Sequence, residues 1–448
     1  MREPSNRRRR GAIVAVLLAV LAAPAIAQIP GTASLPGLPA GLPGSVSLPV
    51  DPTLQAADAA GQTLGAVTDL RHLRLQTLIR QNRDRIDVDP NGAPVVRGEV
   101  LAVAPSPESL ARAGAAGFTA LREATIEGTD VRLVTLAIPR GLDARQAVKR
   151  LRKADPAGDY DYNHIYSSAG EVGGATAAPA AARTARPATG VRIGLVDTGV
   201  DAGHPALAGA RIEQRSFAPG GVTPQPHGTA DASLLVGQAG PFRGAAPGAV
   251  LLVADIYGAG PTGGSAEAIV RGLGWLAGSD VSVINVSLVG PPNAALRAVI
   301  TRLTARGVLI VAAVGNDGPA APPLYPASYP GVIAVTGVDG RDRVLLEASR
   351  ALHLDFAAPG ADMAAAGVGG RYVKVRGTSF AAPLVAGRLA SLRTAPGPAG
   401  ARGALDALSR DARDLGAPGI DKVYGRGLVA ADLRTPPKAV GAARAILR

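Results

Sequence analysis

Five short, almost wholly apolar runs constrain this chain more than any other feature: Val191–Val196, Ala249–Ala254, Val281–Val286, Val308–Val314 and Val332–Thr336. Stretches with helical patterning, about 265 to 277 and 293 to 305, separate several of them. Apolar strands alternating with helices predict an α/β fold, a parallel sheet covered by helices on both faces. Ligands of such sheets sit outside the carboxyl ends of the strands, so functional residues are sought there.

The chain ahead of this region has a different texture. Within 94–168, Val95–Val103 reads as a strand, and Ser106 caps a helix that has Pro107 at its first position. A hairpin follows, 119–126 and 131–138, joined through Glu127-Gly128-Thr129. The next helix puts Ala144, Ala147, Val148 and Leu151 on one face, and Gly158–Tyr166 closes the unit as a strand. The order β-α-β-β-α-β is that of a small ferredoxin-like α+β domain. Residues 169–189, rich in Ala and Gly, read as a flexible linker and 435–448 as a C-terminal tail, which leaves 190–434 for the larger domain. Residues 28–93 begin as a Pro/Gly-rich linker and continue as an amphipathic helix carrying Leu64, Val67, Leu70, Leu73, Leu75, Leu78 and Ile79.

Aromatic residues are only 3% of the 448, so the core must be packed with Ala, Val, Leu and Ile. The absence of cysteine excludes disulfides, thiolate metal sites and a cysteine nucleophile. A formal charge of +12 invites a nucleic-acid reading, but much of it lies in the first residues. Arg2 and Arg7 to Arg10, with Glu3, precede the apolar run Ala12–Ala27, which ends Ala25-Ile26-Ala27. That is the pattern of a secretory signal peptide over 1–27, and its removal lowers the charge to +8. The expected location is secreted or periplasmic, with membrane contact only through an uncleaved signal segment and no nucleic-acid partner.

Three side chains at strand ends or helix starts carry the chemistry. Asp197 ends the first apolar run, His227 stands in His227-Gly228-Thr229, and Ser379 stands in Gly377-Thr378-Ser379-Phe380-Ala381-Ala382-Pro383. Each has an ordinary alternative as a turn or capping residue. Together they are the types that nucleophilic serine chemistry needs: the histidine takes the serine proton, and the carboxylate fixes its tautomer and steadies its positive charge. Asn316, in Gly315-Asn316-Asp317-Gly318, adds an amide able to donate to an oxyanion.

In chain order, Asp197, His227, Asn316 and Ser379 resemble the subtilisin-like serine proteases (subtilases). The matching stretches are VDTGVDAGHP, HGT, INVSLVGP, AAVGNDGPAAPPLYPASYPGVIAV, FAAPG, GTSFAAPLVAG and DLGAPGIDKVYGRGLV, over about 190 to 433. The resemblance implies a serine endopeptidase with Asp197, His227 and Ser379 as its triad, and with Asn316 and the Ser379 amide as its oxyanion hole. It implies that Ser287, Leu288, Val289 and Gly290 form an edge strand beside an extended peptide or protein substrate, flanked by the Gly258–Gly264 loop, with Gly315 also at the substrate. The domain at 94–168 then resembles the family's propeptide, an inhibitor and folding template, with self-cleavage near 167 to 188. Calcium enters only as an implication of kinship, because no acidic cluster has a spacing that obliges a metal site.

Several residues depart from the family pattern. Ala230-Asp231-Ala232-Ser233 is more polar than the usual start of the histidine's helix. Val289 and Val314 stand where smaller residues are common, which predicts a narrowed primary pocket favouring small or modest apolar side chains. An unperturbed histidine predicts a rate that rises around pH 6 to 7. The alternative function is a subtilase-fold protein that processes only itself and then binds or regulates.

Overall fold

The structure, a computed structural model, describes residue 73 and residues 75–175 and 190–441. The signal-like segment, the Pro/Gly-rich stretch, the first part of the amphipathic helix and residues 176–189 lie outside the described residues. Residues 75–81 are helical, as the apolar spacing predicts. A strand not foreseen in the sequence follows: β1 (Ile86–Val88) pairs antiparallel with the start of β2 (Pro94–Val103). Its turn is held by Asp89, whose Oδ1 accepts from the amides of Asn91 and Ala93.

The small domain continues with α1 (Pro107–Ala115), β3 (Thr119–Ile126), β4 (Val131–Ala137), α2 (Ala144–Ala154) and β5 (Asp159–His164). Ser106 caps α1 and Asp143 caps α2, the latter in a reciprocal box with Gln146. Four strands lie in the order β5-β2-β4-β3, all antiparallel, the ferredoxin-like arrangement. One face buries Val100, Val134, Val148, Leu151 and Tyr160 against the helices. Leu101, Val103 and Leu133, on the other face, pack into the core of the larger domain.

That larger domain is organised on seven parallel strands. They are β8 (Arg192–Asp197), β9 (Arg211–Ser216), β10 (Val250–Asp255), β11 (Val283–Val286), β13 (Leu309–Ala313), β14 (Val332–Val338) and β15 (Phe356–Pro359). Their spatial order is β15-β14-β13-β11-β8-β10-β9. The chain begins in the middle of this sheet, builds one side, then crosses β8 to build the other. The strand order therefore reverses at β8, which places a crevice at its carboxyl end.

Burial on both faces explains the unbroken apolar runs. Ile193 and Leu195 of β8 face one core with α3 (Pro226–Val236) and α6 (Ala382–Leu392). Val196 faces the other with α4 (Ala266–Gly278) and α5 (Ala294–Ala305). Few aromatic rings take part, and alanines such as Ala381, Ala382 and Ala386 let α6 lie close against the sheet.

Two segments differ from the sequence expectation. Glu171–Ala175, assigned to the flexible linker, is a strand (β7) paired antiparallel with β17 (Tyr372–Arg376), itself the partner of β16 (Met363–Ala366). The open edge of β17 supplies backbone partners that a small, featureless sequence accepts without side-chain help. The start of the supposed tail is also ordered: Thr435 O accepts from Ala364 N, and α8 (Pro437–Gly441) buries Val440 in the core.

Candidate active site

Asp197 is the last residue of β8, at the point where the strand order reverses. Its Oδ1 accepts from the Thr198 amide at 2.6 Å, which fixes the carboxylate. His227 lies in the first turn of α3, entered through Pro226. Its Nδ1 is 2.9 Å from Asp197 Oδ2 and 3.1 Å from Oδ1. Its Nε2 is 3.1 Å from Ser379 Oγ. Three side chains far apart in the sequence thus form one hydrogen-bonded series.

Ser379 sits on a single 3-10 turn, Thr378–Phe380, between Gly377 and α6. Pro383 falls in the first turn of α6, where its missing amide costs nothing. Asn316 follows β13, and its side chain is oriented at both ends. Its Oδ1 accepts from the Thr378 amide at 3.1 Å, and its Nδ2 donates to the carbonyl oxygen of Ala169. The Ser379 amide donates to the same oxygen at 3.2 Å.

The chain's own segment therefore occupies the crevice, and Ser379 is buried beneath it. Ser167–Ser168 (β6) pairs antiparallel with β12 (Leu288–Val289), and Ala169 N donates to Ser287 O at 3.2 Å. On the opposite side, Tyr166 N donates to Gly264 O at 2.8 Å, so two main-chain edges hold the segment. The Tyr166 ring lies against Gly290, where an added Cβ would approach it to 2.5 Å, and its hydroxyl donates to Pro291 O. Gly315 N donates to Thr378 Oγ1, and a Cβ on Gly315 would press on Leu324 and Val289. All nine residues singled out from the sequence thus surround one crevice, and residues 165 to 170, at the start of the stretch where self-cleavage was expected, run through it. YSSAG immediately before a small-residue stretch was the available signal for them.

The electrostatics are unusual in one respect. Asp231, one turn along α3 from His227, is fully buried, and single ligand atoms of Asp197, His227 and Asp231 lie within 4.8 Å of one another. Burial favours the neutral imidazole of His227, but Asp197, Asp231 when ionised and the Asp197 hydrogen bond outweigh it and raise the group to about 9. The value near neutrality expected of an unperturbed histidine is displaced upward. Burial pushes the Asp231 carboxyl well above the carboxylate range, and the neighbouring Asp197 adds to the effect.

A parallel sheet that reverses at β8, with an aspartate, a histidine and a serine in hydrogen-bonding series at its carboxyl edge, defines a serine endopeptidase of the subtilisin-like class. The family model described as "Subtilase family" matches residues 188–427, and the chain belongs to that family. It is 34% identical to Subtilisin Savinase of Lederbergia lenta over 268 residues, which are 58% of this chain and 95% of that protein. With Subtilisin E of Bacillus subtilis (strain 168) it shares 32% over 264 residues, 55% of this chain and 67% of the relative. Among solved structures it is similar to fervidolysin from Fervidobacterium pennivorans, described as a keratinolytic enzyme related to subtilisin. The TM-score is 0.63 at 20% identity, covering 80% of this chain and 63% of that one, a likeness of fold.

Proposed function

We propose that the chain is the precursor of a secreted or periplasmic serine endopeptidase, and that its first act is to cut itself between Ala169 and Gly170. In this reading Ser379 Oγ attacks the Ala169 carbonyl carbon and His227 Nε2 takes the serine proton. Asp197 holds the ring by Nδ1 and stabilises the imidazolium. Negative charge gathers on the Ala169 oxygen, which two donors already address. The imidazolium then protonates the departing amine of Gly170, and water releases the acyl group from Ser379 by the same steps in reverse roles.

One observation carries the proposal: the Ala169 oxygen accepts from both Asn316 Nδ2 and the Ser379 amide, while Ser379 Oγ lies 3.1 Å from His227 Nε2, placed to donate its proton to it. The small side chain of Ala169 agrees with a primary pocket narrowed by Val289 and Val314. The small domain at 94–168 then acts as a propeptide, filling the crevice until cleavage. Location outside the cytoplasm rests on the signal-like residues 1–27 alone.

Mass spectrometry of the purified product tests this. The expected mature N-terminus is Gly170, and the Ser379→Ala chain stays uncut. A mature chain beginning elsewhere overturns the bond assignment, and an uncut wild-type chain overturns self-processing. Casein hydrolysis by the mature form separates a general endopeptidase from a protein that processes only itself.

A further inference from the structure

Two buried oxygens close to the triad have no hydrogen-bond partner: Asp231 Oδ1 and Asn285 Oδ1. Both residues are fully buried. Their side chains already face each other, for Asn285 Nδ2 lies 3.4 Å from Asp231 Oδ2. The same Nδ2 donates to Ser287 Oγ at 2.8 Å, and Ser287 Oγ donates to the backbone oxygen of Ser379 at 2.9 Å. A relay therefore runs from Asp231 through Asn285 and Ser287 to the residue bearing the nucleophile.

An ionised Asp231 fits this site poorly. It would be an anion with only the Asn285 amide and the Ser287 hydroxyl beside it, next to the Asp197 carboxylate and with its Oδ1 unpartnered. A carboxylic acid and a primary amide are complementary: the acid O–H donates to the amide oxygen while the amide N–H donates to the acid carbonyl. A proton on Asp231 Oδ1 would make that orphan a donor, which is what the orphan oxygen of Asn285 lacks.

We propose that Asp231 is a positioning residue that works as a neutral carboxylic acid, closing a cyclic pair with Asn285 that steadies the Asn285–Ser287–Ser379 relay without placing a second anion beside His227. The groups that face it are His227 on its own helix, Asp197 at the end of β8, and Asn285 and Ser287 at the end of β11. Burial and the nearby Asp197 carboxylate, which push the acid's proton affinity up, agree with this state. The role rests on Asp197, His227 and Ser379 being the triad, as proposed above.

The test compares Asp231→Asn, Asp231→Ala and Ser379→Ala with the wild type. An asparagine at 231 can form the same two-way pair, so its kcat/KM should fall within about threefold of wild type with its acid limb unmoved. Asp231→Ala breaks the pair and should lose roughly tenfold or more in kcat, a loss that asparagine restores. An acid limb shifted down by about one pH unit or more in Asp231→Asn would mean that an ionised Asp231 had been raising His227, and overturns the inference. A second measurement does not depend on activity. The inactive Ser379→Ala chain should show, near neutral pH, an infrared carbonyl band of a protonated carboxylic acid that disappears on adding Asp231→Asn, and no such band overturns the inference. The control separates the two readings: a Ser379→Ala chain that still hydrolyses peptide defeats the triad assignment, whatever Asp231 does.

Discussion

The carbonyl oxygen of Ala169 lies 3.2 Å from the amide nitrogen of Ser379, on a segment that precedes the larger domain in the same chain. The next residue is glycine, and its Cα passes so close to the nucleophile that an added Cβ would come within 2.0 Å of Ser379 Oγ and 2.6 Å of the Phe380 ring. Neither neighbour can yield, because Ser379 Oγ is held by His227 and Phe380 is fully buried. Gly170→Val should therefore reduce self-processing by about 100-fold or more, since small displacements of reacting atoms have effects of that order. The conversion of precursor to mature chain, followed by gel over time, checks this. Normal conversion of that variant at the same bond would show that the segment enters the crevice in another way.

Asn316 is built for one task. Its Oδ1 is tied to the Thr378 amide, so its Nδ2 has no freedom to point elsewhere. Asn316→Ala removes one of two donors to the developing oxyanion and leaves the main-chain pairing with β12 untouched. The expected change is a kcat lower by about 10²–10³-fold, the loss known for removing such a donor in the subtilisin family, with KM near its original value. A comparable rise in KM with kcat unchanged would assign Asn316 to ground-state binding instead.

How far the sequence reached follows from what kind of order each part has. Five of the seven sheet strands were legible because burial on both faces leaves an unbroken apolar run, while β15 (Phe356–Pro359), also buried, is four residues ending in proline and too short to give that signal. β9 (Arg211–Ser216) was missed since it lies at the sheet's edge, and RIEQRS reads as polar surface. The triad residues and Asn316 were legible because Gly-rich turns flank them and specific motifs carry them. Asp231 was seen only as an oddity: local sequence does not reveal that Asn285, 54 positions away, will meet it. The bond between Ala169 and Gly170 could not be picked out within 167 to 188, and β7 was read as linker, for a related reason. Their order comes from main-chain edges offered by β12 and β17, and main-chain pairing leaves little mark on side-chain choice.

Self-processing should depend on pH with a definite sign. In the precursor, burial lowers His227, but the Asp197 carboxylate and its hydrogen bond to the ring oppose this and hold the group above its ordinary value. A raised value keeps the imidazole protonated further into alkaline solution, and a protonated imidazole cannot take the Ser379 proton. The rate of precursor conversion should therefore climb with pH through the neutral range and level off only in alkaline solution. Single-turnover conversion measured from pH 6 to 10 checks this, and a rate already level at pH 7 would mean that the ring is not held in its charged form.

Gly290 and Tyr166 form a second fixed contact, four residues ahead of the cut bond. The Tyr166 ring packs face-on where Gly290 has no side chain, and a Cβ there would come within 2.5 Å of it. Gly290→Ala should expel the ring, and the lost burial, worth about 1–3 kcal/mol for an aromatic side chain, should slow conversion roughly tenfold or more. Tyr166→Ala should produce a similar slowing by removing the ring itself. Combining the two should add little to either alone, because both remove one contact. An additive double variant would separate the two effects and refute a shared contact.

The small domain holds the larger one by the starts of two helices. Asp161 Oδ2 accepts from Ala294 N at 2.7 Å at the first residue of α5, and Asn163 Oδ1 accepts from Glu267 N at 3.1 Å in the first turn of α4. Arg122 adds ion pairs to Glu99 on its own side and to Glu267 on the other, at 2.8 and 2.7 Å. Of these, the Asp161 contact combines a cap with a negative charge at the positive end of a helix, a combination worth about 1 kcal/mol. Asp161→Ala should weaken the attachment of the cleaved domain about fivefold without touching the crevice. The measurement is the fraction of that domain co-eluting with the mature chain after conversion, together with the residual activity of the mixture. Faster release with earlier onset of peptide hydrolysis is the expected result. Unchanged co-elution would mean that the strand running through the crevice, not the two helix starts, carries the binding.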